Sequence, residues 1–565
     1  MLHKENEISI VLGGSAGQGI QTIESLLMSV LKAQGYYVFA TKEYMSRIRG
    51  GSNSTEIRIT SKKRSAYAKR IDLLLPLDEA VLSHLEKHID PKTLILADTH
   101  RFKKQYAHKM LDVPFGRMAS GFGNPVFANT IAVGVVLGMM KADMNIFEAM
   151  LRKLFGRKGE EIVRKNIEAG EAGYKLGHHL AFLEGVDIKI PRHAAVKNEL
   201  LLSGNDALGM GVLAAGCDFI SSYPMSPGTS LLTFLAQQGQ KFNVAVEQVE
   251  DEISAINMAL GAWYAGARAI VTTSGGGFAL MEEGVSLAGM IETPVVIHIA
   301  QRPGPATGLP TRTEQADLNL ALYSGHGEFP RAIFAPGSLT EMFEAAQQAF
   351  LIADTYQSPV FILTDQYLLD GVGSIAEKYL KRLAMKHMIV KTEKEYKRYA
   401  LTENGISPRG IPGFGDGLVV VDSDEHTEDG HLTEDLEMRV KMMDKRMKKL
   451  DGMRKDVLKP VKGGAKDGKT LVVGWGSTCG AIQEALEKSE RKDISSIHFK
   501  QVFPLPTDLP DYFKGAEKIV VIENNFTGQF ANLLKQEGVE VSETVLKYDG
   551  EPFSVEELIE TFKNI

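Results

Sequence analysis

Between Asp206 and Leu318, four segments rich in glycine and proline each follow or interrupt a short β-branched run and lead towards a helical pattern. They are SSYPMSPGTS (Ser221–Ser230), VEQVEDEISAINMALGA (Val246–Ala262), TTSGGGFALMEEG (Thr272–Gly284) and IAQRPGPATGLPTRTEQADL (Ile299–Leu318). A strand–loop–helix succession of this kind builds an open α/β sheet, in which strand-end loops lie together along one edge where ligands bind. The pattern thus predicts that residues spread over about a hundred positions share one face.

The same alternation recurs on either side. Glu7 to Leu12 reads as a strand, GGSAGQG (Gly13–Gly19) opens a helix closed by Gly35, and further strand runs follow at Tyr36–Thr41, LLLPLD and LILAD. Strands alternating with helices predict a parallel, helix-covered sheet over residues 1–190. A second doubly wound α/β unit is expected over 196–373 and a third over 469–565, where TLVVGWGSTCG and KIVVIENN are strands ending in turns. Between them, 374–468 is polar, and its Lys- and Arg-rich end from Glu437 reads as a charged connecting arm with one exposed helix; docking of a partner is the sharper alternative.

Bulk properties narrow the function. A length of 565 residues implies several domains, and 44% apolar with 24% charged residues is ordinary for a globular protein. The net charge of −7 argues against a nucleic-acid partner. Only two cysteines are present, Cys217 and Cys479, far apart and without a CxxC spacing, so neither a disulfide framework nor a cysteine-ligated cluster is expected on this chain. The start MLHKENEISIVLGG lacks a signal-type apolar region, and the longest apolar stretch, Ile131–Met140, is too short for a bilayer and reads as a buried helix. The expectation is a cytoplasmic protein without membrane contact.

Several residues invite both a chemical and a plain reading. Glu252 is one of four acids in EQVEDE, and as a helix N-terminal acid it would complement the dipole. Arg302, just after the strand PVVIHIA, could grip a carboxylate bidentately or bond loop carbonyls; Arg312 is a weaker second candidate. Gly275, Gly276 and Gly277 let backbone approach a ligand closely, or make a tight turn. The loop Gly13–Gly19 could hold an anion at a helix start. Glu43 raises a dinucleotide alternative, whereas the cationic SRIRGGSNS (Ser46–Ser54) suits phosphates. Gly415-Asp416-Gly417 has no asparagine at the distance a diphosphate–magnesium motif needs, and Glu425, His426 and His431 read as a solvated loop, so no metal site is expected.

The four segments resemble the α subunit of 2-oxoacid:ferredoxin oxidoreductases of the 2-oxoglutarate type, which use thiamine diphosphate. The family's YPxTP loop stands here as Tyr223–Pro227, its acidic helix start as EDEISA, its SGxGxxLMxE turn as Ser274–Glu282, and its QRxGPxTGxPT run as Gln301–Thr311. The likeness continues through ISPRGIPG, DEHTEDGH, GWGST and IENNFTGQ, and the N-terminal third resembles the family's γ subunit fused in front.

The resemblance implies a γ-type domain that helps close over coenzyme A, a pyrimidine-type thiamine-binding domain in the middle, and a last domain like the transketolase C-terminus. Glu252 would be the catalytic acid that hydrogen-bonds N1′ of the aminopyrimidine, beside Gly275, Gly276 and Gly277. Tyr223, Ser226, Arg302 and Thr311 would bind the substrate; Ser226 stands where most relatives have threonine, which bears on substrate identity. A β subunit would bring Mg2+, the diphosphate half of the site and a 4Fe–4S cluster, in a dimer of heterodimers that reduces ferredoxin. The implied reaction is oxidative decarboxylation of a 2-oxoacid with coenzyme A, best matched by 2-oxoglutarate, with branched-chain or aromatic 2-oxoacids as alternatives. An NAD-linked dehydrogenase and a non-catalytic assembly subunit are the readings from other classes.

Overall fold

The computed structural model describes residues 2–15, 17–45, 51–103, 106 and 108–565. The chain forms two compact units, one of residues 1–202 with 370–379 and 554–556, the other of 203–369, 380–553 and 557–565. Both are α/β.

In the first unit an eight-stranded sheet runs in the order Met110–Asp112, Leu94–Ala97, Leu73–Pro76, Glu7–Ser15, Ser52–Thr60, Tyr37–Glu43, Val372–Ile375, Leu200–Ser203. The first four strands are parallel, as the alternation predicts. The expectation of a wholly parallel sheet fails on the other side: Ser52–Thr60 pairs antiparallel with both Glu7–Ser15 and Tyr37–Glu43. The connection from Glu43 to Ser52 is too short for the helical crossover that parallel neighbours require, so the strands form a hairpin. The apolar stretch does form a buried helix, Phe127–Met139, packed on Glu160–Glu184. Cβ atoms at Gly134, Gly173 or Gly177 would overlap backbone oxygens of the opposing helix, so glycine sets this close approach. Among the described residues no helix is long and apolar enough to cross a membrane.

The second unit contains two sheets. The larger runs Ala245–Gln248, Phe219–Ser222, Ala269–Thr273, Val295–Gln301, Pro359–Asp365, Ala332–Phe334, Gln501–Phe503, and all but the last strand are parallel. The smaller runs Val461–Gly464, Ile494–Phe499, Thr470–Trp475, Lys518–Glu523, Glu543–Leu546. The run SSIHFKQVF, which reads as a single strand, divides: Ile494–Phe499 joins the smaller sheet and Gln501–Phe503 the larger. Both sheets therefore lie in the same compact unit.

The charged segment is not an exposed arm. Helix Leu436–Lys455 buries Met442, Lys445, Arg446, Lys449 and Met453. Lys445 and Lys449 both pair with the buried carboxylate of Glu292, at 2.6 Å for Lys445. Arg446 bonds Glu425 at 2.7 Å, and His426 is fully buried, stacked on Tyr399 with centroids 3.7 Å apart. Glu425 and His426 thus leave the solvated loop expected for them, while His431 stays exposed. Charge composition misled because these charges neutralise one another inside the unit, where an unpaired one would be strongly penalised.

Candidate active site

The four motif segments meet at one sheet edge. Strands Phe219–Ser222, Ala269–Thr273 and Val295–Gln301, with Ala245–Gln248 at the margin, are consecutive parallel neighbours, so the loops after them emerge side by side. Buried side chains tie the strands below these loops. Ser222 Oγ donates to Thr272 O at 2.5 Å and Ser221 Oγ to Ala255 O at 2.7 Å. His298 lies between the hydroxyls of Thr272 and Thr364, 2.8 Å from each; burial pushes its pKa down to about 3, so the imidazole is neutral. A neutral ring can donate to one hydroxyl and accept from the other, which locks three strands together.

Glu252 is the first residue of helix Glu252–Tyr264, whose N-cap Asp251 accepts from the Ser254 N–H at 2.7 Å. The capping duty is therefore Asp251's, and Glu252 is free to point elsewhere. It is 3% exposed, and its Oε1 has no hydrogen-bond partner among the described residues. Burial raises its pKa above the ordinary carboxylate value; its own backbone N–H opposes this, Asp251 adds to it, and the Thr273 hydroxyl opposes it. Gly277 makes the room: a Cβ there would overlap both Glu252 Oε1 and Thr273 Oγ1. Gly275 plays the same part for another acid, since its Cβ would overlap the carboxyl of Asp317. Gly276 is open, with only Ala306 O near its Cβ position, at 3.4 Å.

Asp317 escaped the sequence reading. Burial, with help from Glu314 and against the pull of Arg302, raises its pKa to about 7. Its Oδ2 is buried with no hydrogen-bond partner among the described residues, as is the hydroxyl of Ser274 at the start of the glycine turn. Glu252, Ser274 and Asp317 thus leave three polar atoms unsatisfied around Gly275–Gly277, where buried groups are ordinarily paired. Asp317 lies six positions after the end of the QRxGPxTGxPT run, in TEQAD, and no local pattern there marks it out. Its position is fixed from the C-terminal side. Gln315 exchanges bonds with Asn524, its N–H donating to Asn524 O at 2.6 Å and its Oε1 accepting from Asn524 N at 3.0 Å. Its side-chain amide also reaches Trp475 O at 2.9 Å. The GWGST and IENNFTGQ motifs therefore brace the loop that carries Asp317.

Of the other expected site residues, Arg302 and Ser226 are brought together: an Arg302 N–H donates to the Ser226 carbonyl at 2.7 Å. The remaining guanidinium donors make no hydrogen bond among the described residues. Tyr223 and Ser226 are exposed, and Thr311 is half-buried on the loop after Arg302. Arg312 packs against Gly550, whose Cβ position is 3.2 Å from its Cβ. Gly415 and Gly417 are needed for close approach to the backbone of Thr392 and Glu393. In the first unit, Glu43 accepts from Ser54 Oγ at 3.0 Å and meets His84 at 3.0 Å. The glycine loop bonds Ser15 N–H to Asp78 at 2.8 Å. Of the cationic loop Ser46–Ser54, positions 46–50 lie outside the described residues.

Residues 210–445 match the family model described as pyruvate flavodoxin/ferredoxin oxidoreductase, thiamine diP-binding, and 9–176 match that of pyruvate ferredoxin/flavodoxin oxidoreductase. A 2-oxoacid:ferredoxin oxidoreductase subunit alpha from Sulfolobus sp is 32% identical over 98% of this chain and 96% of its own length. The chain belongs to the 2-oxoacid:ferredoxin oxidoreductase family. The 2-oxoglutarate oxidoreductase subunit KorA of Mycobacterium tuberculosis is 29% identical over 98% of this chain and 90% of its own. A solved 2-oxoglutarate:ferredoxin oxidoreductase from Magnetococcus marinus, with 2-oxoglutarate, coenzyme A and succinyl-CoA bound, superposes with a TM-score of 0.93 at 27% identity, covering 99% of this chain and 100% of that one. The carboxyl of Glu252 fits this family's thiamine-binding role: it is buried beside the glycine turn, its Oε1 has no hydrogen-bond partner among the described residues, and Gly276 in that turn is open.

Proposed function

We propose that this chain is the fused γ–α part of a multi-subunit 2-oxoacid:ferredoxin oxidoreductase acting on 2-oxoglutarate, with Glu252 as its catalytic acid. The supporting observation is the buried Oε1 of Glu252, which has no hydrogen-bond partner among the described residues and occupies the space that the missing side chain of Gly277 leaves. When bound, thiamine diphosphate supplies a carbon nucleophile for the substrate carbonyl and a sink for the electrons released by decarboxylation. Glu252 Oε1 offers a hydrogen bond to the aminopyrimidine N1′, and its raised pKa suits it to hold the shared proton. Gly275, Gly276 and Gly277 bring backbone to the ring. Arg302, with donors left over from its bond to Ser226 O, binds the 2-oxoacid carboxylate, and Tyr223, Ser226 and Thr311 orient it.

The site is completed by a β subunit carrying Mg2+, the diphosphate half and a 4Fe–4S cluster. Two reasons support this: Gly415-Asp416-Gly417 serves the packing of its own loop, and two cysteines are too few to ligate such a cluster. Tyr223, Ile253, Leu280 and Leu309 are exposed on the motif-bearing segments, an apolar rim that a partner would cover and so dry the site. Coenzyme A is the acyl acceptor, by likeness to the Magnetococcus marinus enzyme, with the loop Gly13–Gly19 as a contact; the assembly is a dimer of heterodimers in the cytoplasm. The balance is 2-oxoglutarate, coenzyme A and two oxidised ferredoxins to succinyl-CoA, CO2, a proton and two reduced ferredoxins.

The test is co-production with the β partner and assay of ferredoxin reduction against 2-oxoglutarate, branched-chain and aromatic 2-oxoacids. Dependence on both 2-oxoglutarate and coenzyme A is expected. A clear preference for another 2-oxoacid overturns the substrate; reduction of NAD in place of ferredoxin overturns the function.

A further inference from the structure

The turn after strand Lys518–Glu523 leads into helix Gln529–Gln536, and its side chains do two separate jobs. The first is to cap the helix. Asn525 Oδ1 accepts from the N–H groups of Gly528 at 2.8 Å and Gln529 at 3.4 Å, and the Glu523 carboxyl oxygens accept from those of Phe530 at 2.9 Å and Ala531 at 2.8 Å. The N–H groups that a helix start ordinarily leaves open are thus taken up without the Gln529 side chain. That side chain turns instead to the loop after Arg302. Its Nε2 donates to Ala316 O at 2.7 Å, and its Oε1 accepts from the Asn319 N–H at 2.8 Å. A backbone carbonyl only accepts and a backbone N–H only donates, so the amide has one orientation. It brackets Asp317 and Leu318 from both sides. Asn525 adds a bond to the same loop, from Nδ2 to Gln315 O at 3.1 Å.

We propose that Gln529 is a positioning residue for the 2-oxoacid site, acting through Asp317 on Gln301 and Arg302; this rests on the 2-oxoacid reading given above. The route is continuous. Between the two backbone atoms that Gln529 holds, Asp317 donates its own N–H to Gln301 Oε1 at 3.1 Å. Gln301 ends strand Val295–Gln301, is 1% exposed, and is followed directly by Arg302. The Asp317 carboxyl fills the space left by the missing side chain of Gly275, and it lies close enough to Arg302 for each to shift the other's proton affinity. Without the Gln529 amide, Ala316 O and the Asn319 N–H lose their partners, and the two residues between them are no longer held in register. Asp317 is then free to withdraw from the glycine turn and from Gln301, and the strand end that aims Arg302 loosens. Gln529 makes no hydrogen bond to Gln301 or Arg302 itself, so its effect on substrate is indirect.

The assembled enzyme carrying Gln529→Met, which keeps the length of the side chain and loses both bonds, is assayed beside wild type at saturating thiamine diphosphate. The KM for 2-oxoglutarate is expected to rise about tenfold, the order of one hydrogen bond's net worth, with that for coenzyme A unchanged. Gln529→Glu gives the rescue. Protonated, glutamic acid offers one donor and one acceptor as the amide does, and burial against a carbonyl favours that form. Its KM should therefore lie near wild type at pH 6 and rise towards that of Gln529→Met at pH 8, as the acid ionises and loses its donor. Hydrogen exchange of the isolated full chain reads the same contact without activity: Gln529→Met should speed exchange at the Asp317 amide as well as at Asn319. The proposal is overturned by an unchanged KM for 2-oxoglutarate in Gln529→Met, or by an equal rise for coenzyme A. It is also overturned by a Gln529→Glu enzyme no nearer wild type at pH 6 than Gln529→Met, or by Asp317 exchange at the wild-type rate. A wild-type complex that turns over no 2-oxoacid overturns the proposed function instead, and exchange at Asp317 then decides this one.

Discussion

Alanine at Gly277 and at Gly276 differs by one position and is expected to differ in sign. Both residues lie in the short helix Gly275–Phe278, where replacing glycine by alanine ordinarily stabilises by about 0.5–1 kcal/mol. At Gly276 nothing opposes that gain, because the nearest atom to the new Cβ is Ala306 O at 3.4 Å. At Gly277 the methyl would overlap Glu252 Oε1 and Thr273 Oγ1, with Glu252 Cδ at 2.8 Å. Glu252 Oε1 ends a flexible side chain, but that side chain is buried and has little room to swing, and Thr273 closes a central strand. Overpacking of this kind costs about 1–3 kcal/mol, so Gly277→Ala should end net destabilised and Gly276→Ala neutral or slightly stabilised. The chain's two tryptophans, Trp263 and Trp475, are both fully buried in the second unit, so their fluorescence reports its unfolding specifically. Thermal melts followed this way should show Gly277→Ala several degrees below wild type and Gly276→Ala at or above it. Equal losses for the two variants, or a Gly277→Ala melt at the wild-type temperature, would refute the cradle. In the assembled enzyme Gly277→Ala should also lose activity, because the carboxyl it displaces is the one assigned to chemistry.

Three further outcomes bear on the same face. Glu252→Gln keeps the volume but cannot hold the shared proton, so hydrogen–deuterium exchange at C2 of thiamine diphosphate in the reconstituted complex should slow about 10²–10⁴-fold, with the tryptophan melt unchanged. Arg302→Ala should raise the apparent KM for the 2-oxoacid roughly ten- to a hundredfold, the equivalent of about 1.5–3 kcal/mol, and leave that for coenzyme A in place; an equal effect on both would mean the arginine only supports the Ser226 loop. For Asp317 the sign follows from a folded pKa raised to about 7 by burial: the unfolded chain releases this proton first, so stability falls as pH rises from the ordinary carboxylate range to about 7. Asp317→Asn removes that loss and should gain on wild type between pH 5 and 7, by up to about 1.4 kcal/mol per pH unit, as read by urea unfolding of the tryptophan signal; a constant difference across that range would show that Asp317 is ionised in the folded chain.

What could be read in the sequence was local and periodic. The strand-then-glycine pattern gave the α/β class and placed Glu252, Gly275–Gly277, Ser226 and Arg302 at neighbouring strand ends, because parallel order fixes where such loops emerge. The same pattern could not tell a hairpin from a crossover after Tyr37–Glu43, since the strands look alike and only the connection differs. Charge was the poorest guide. Lys445 and Lys449 read as a solvated face, yet both are committed to Glu292, which is 153 residues from Lys445 in the chain and looks like any surface acid in GMIET. Burial of charge is decided by a partner, and a sequence does not say who the partner is.

Asp317 shows the same limit from the functional side. Nothing in TEQAD distinguishes this acid from Glu314 three positions earlier. The difference is made by Gln315, pinned through Asn524 and Trp475, and by Gly275, whose missing side chain leaves space that the Asp317 carboxyl fills. Its protonation, in turn, depends on whether burial and Glu314 outweigh Arg302, a balance of three groups that no local motif encodes. The C-terminal motifs thus act at the site without touching it: GWGST and IENN hold the loop in register, and the loop sets how the second acid sits against the glycine turn. A change at Asn524 should therefore reach the motif face through Gln315, with no group of its own near Glu252.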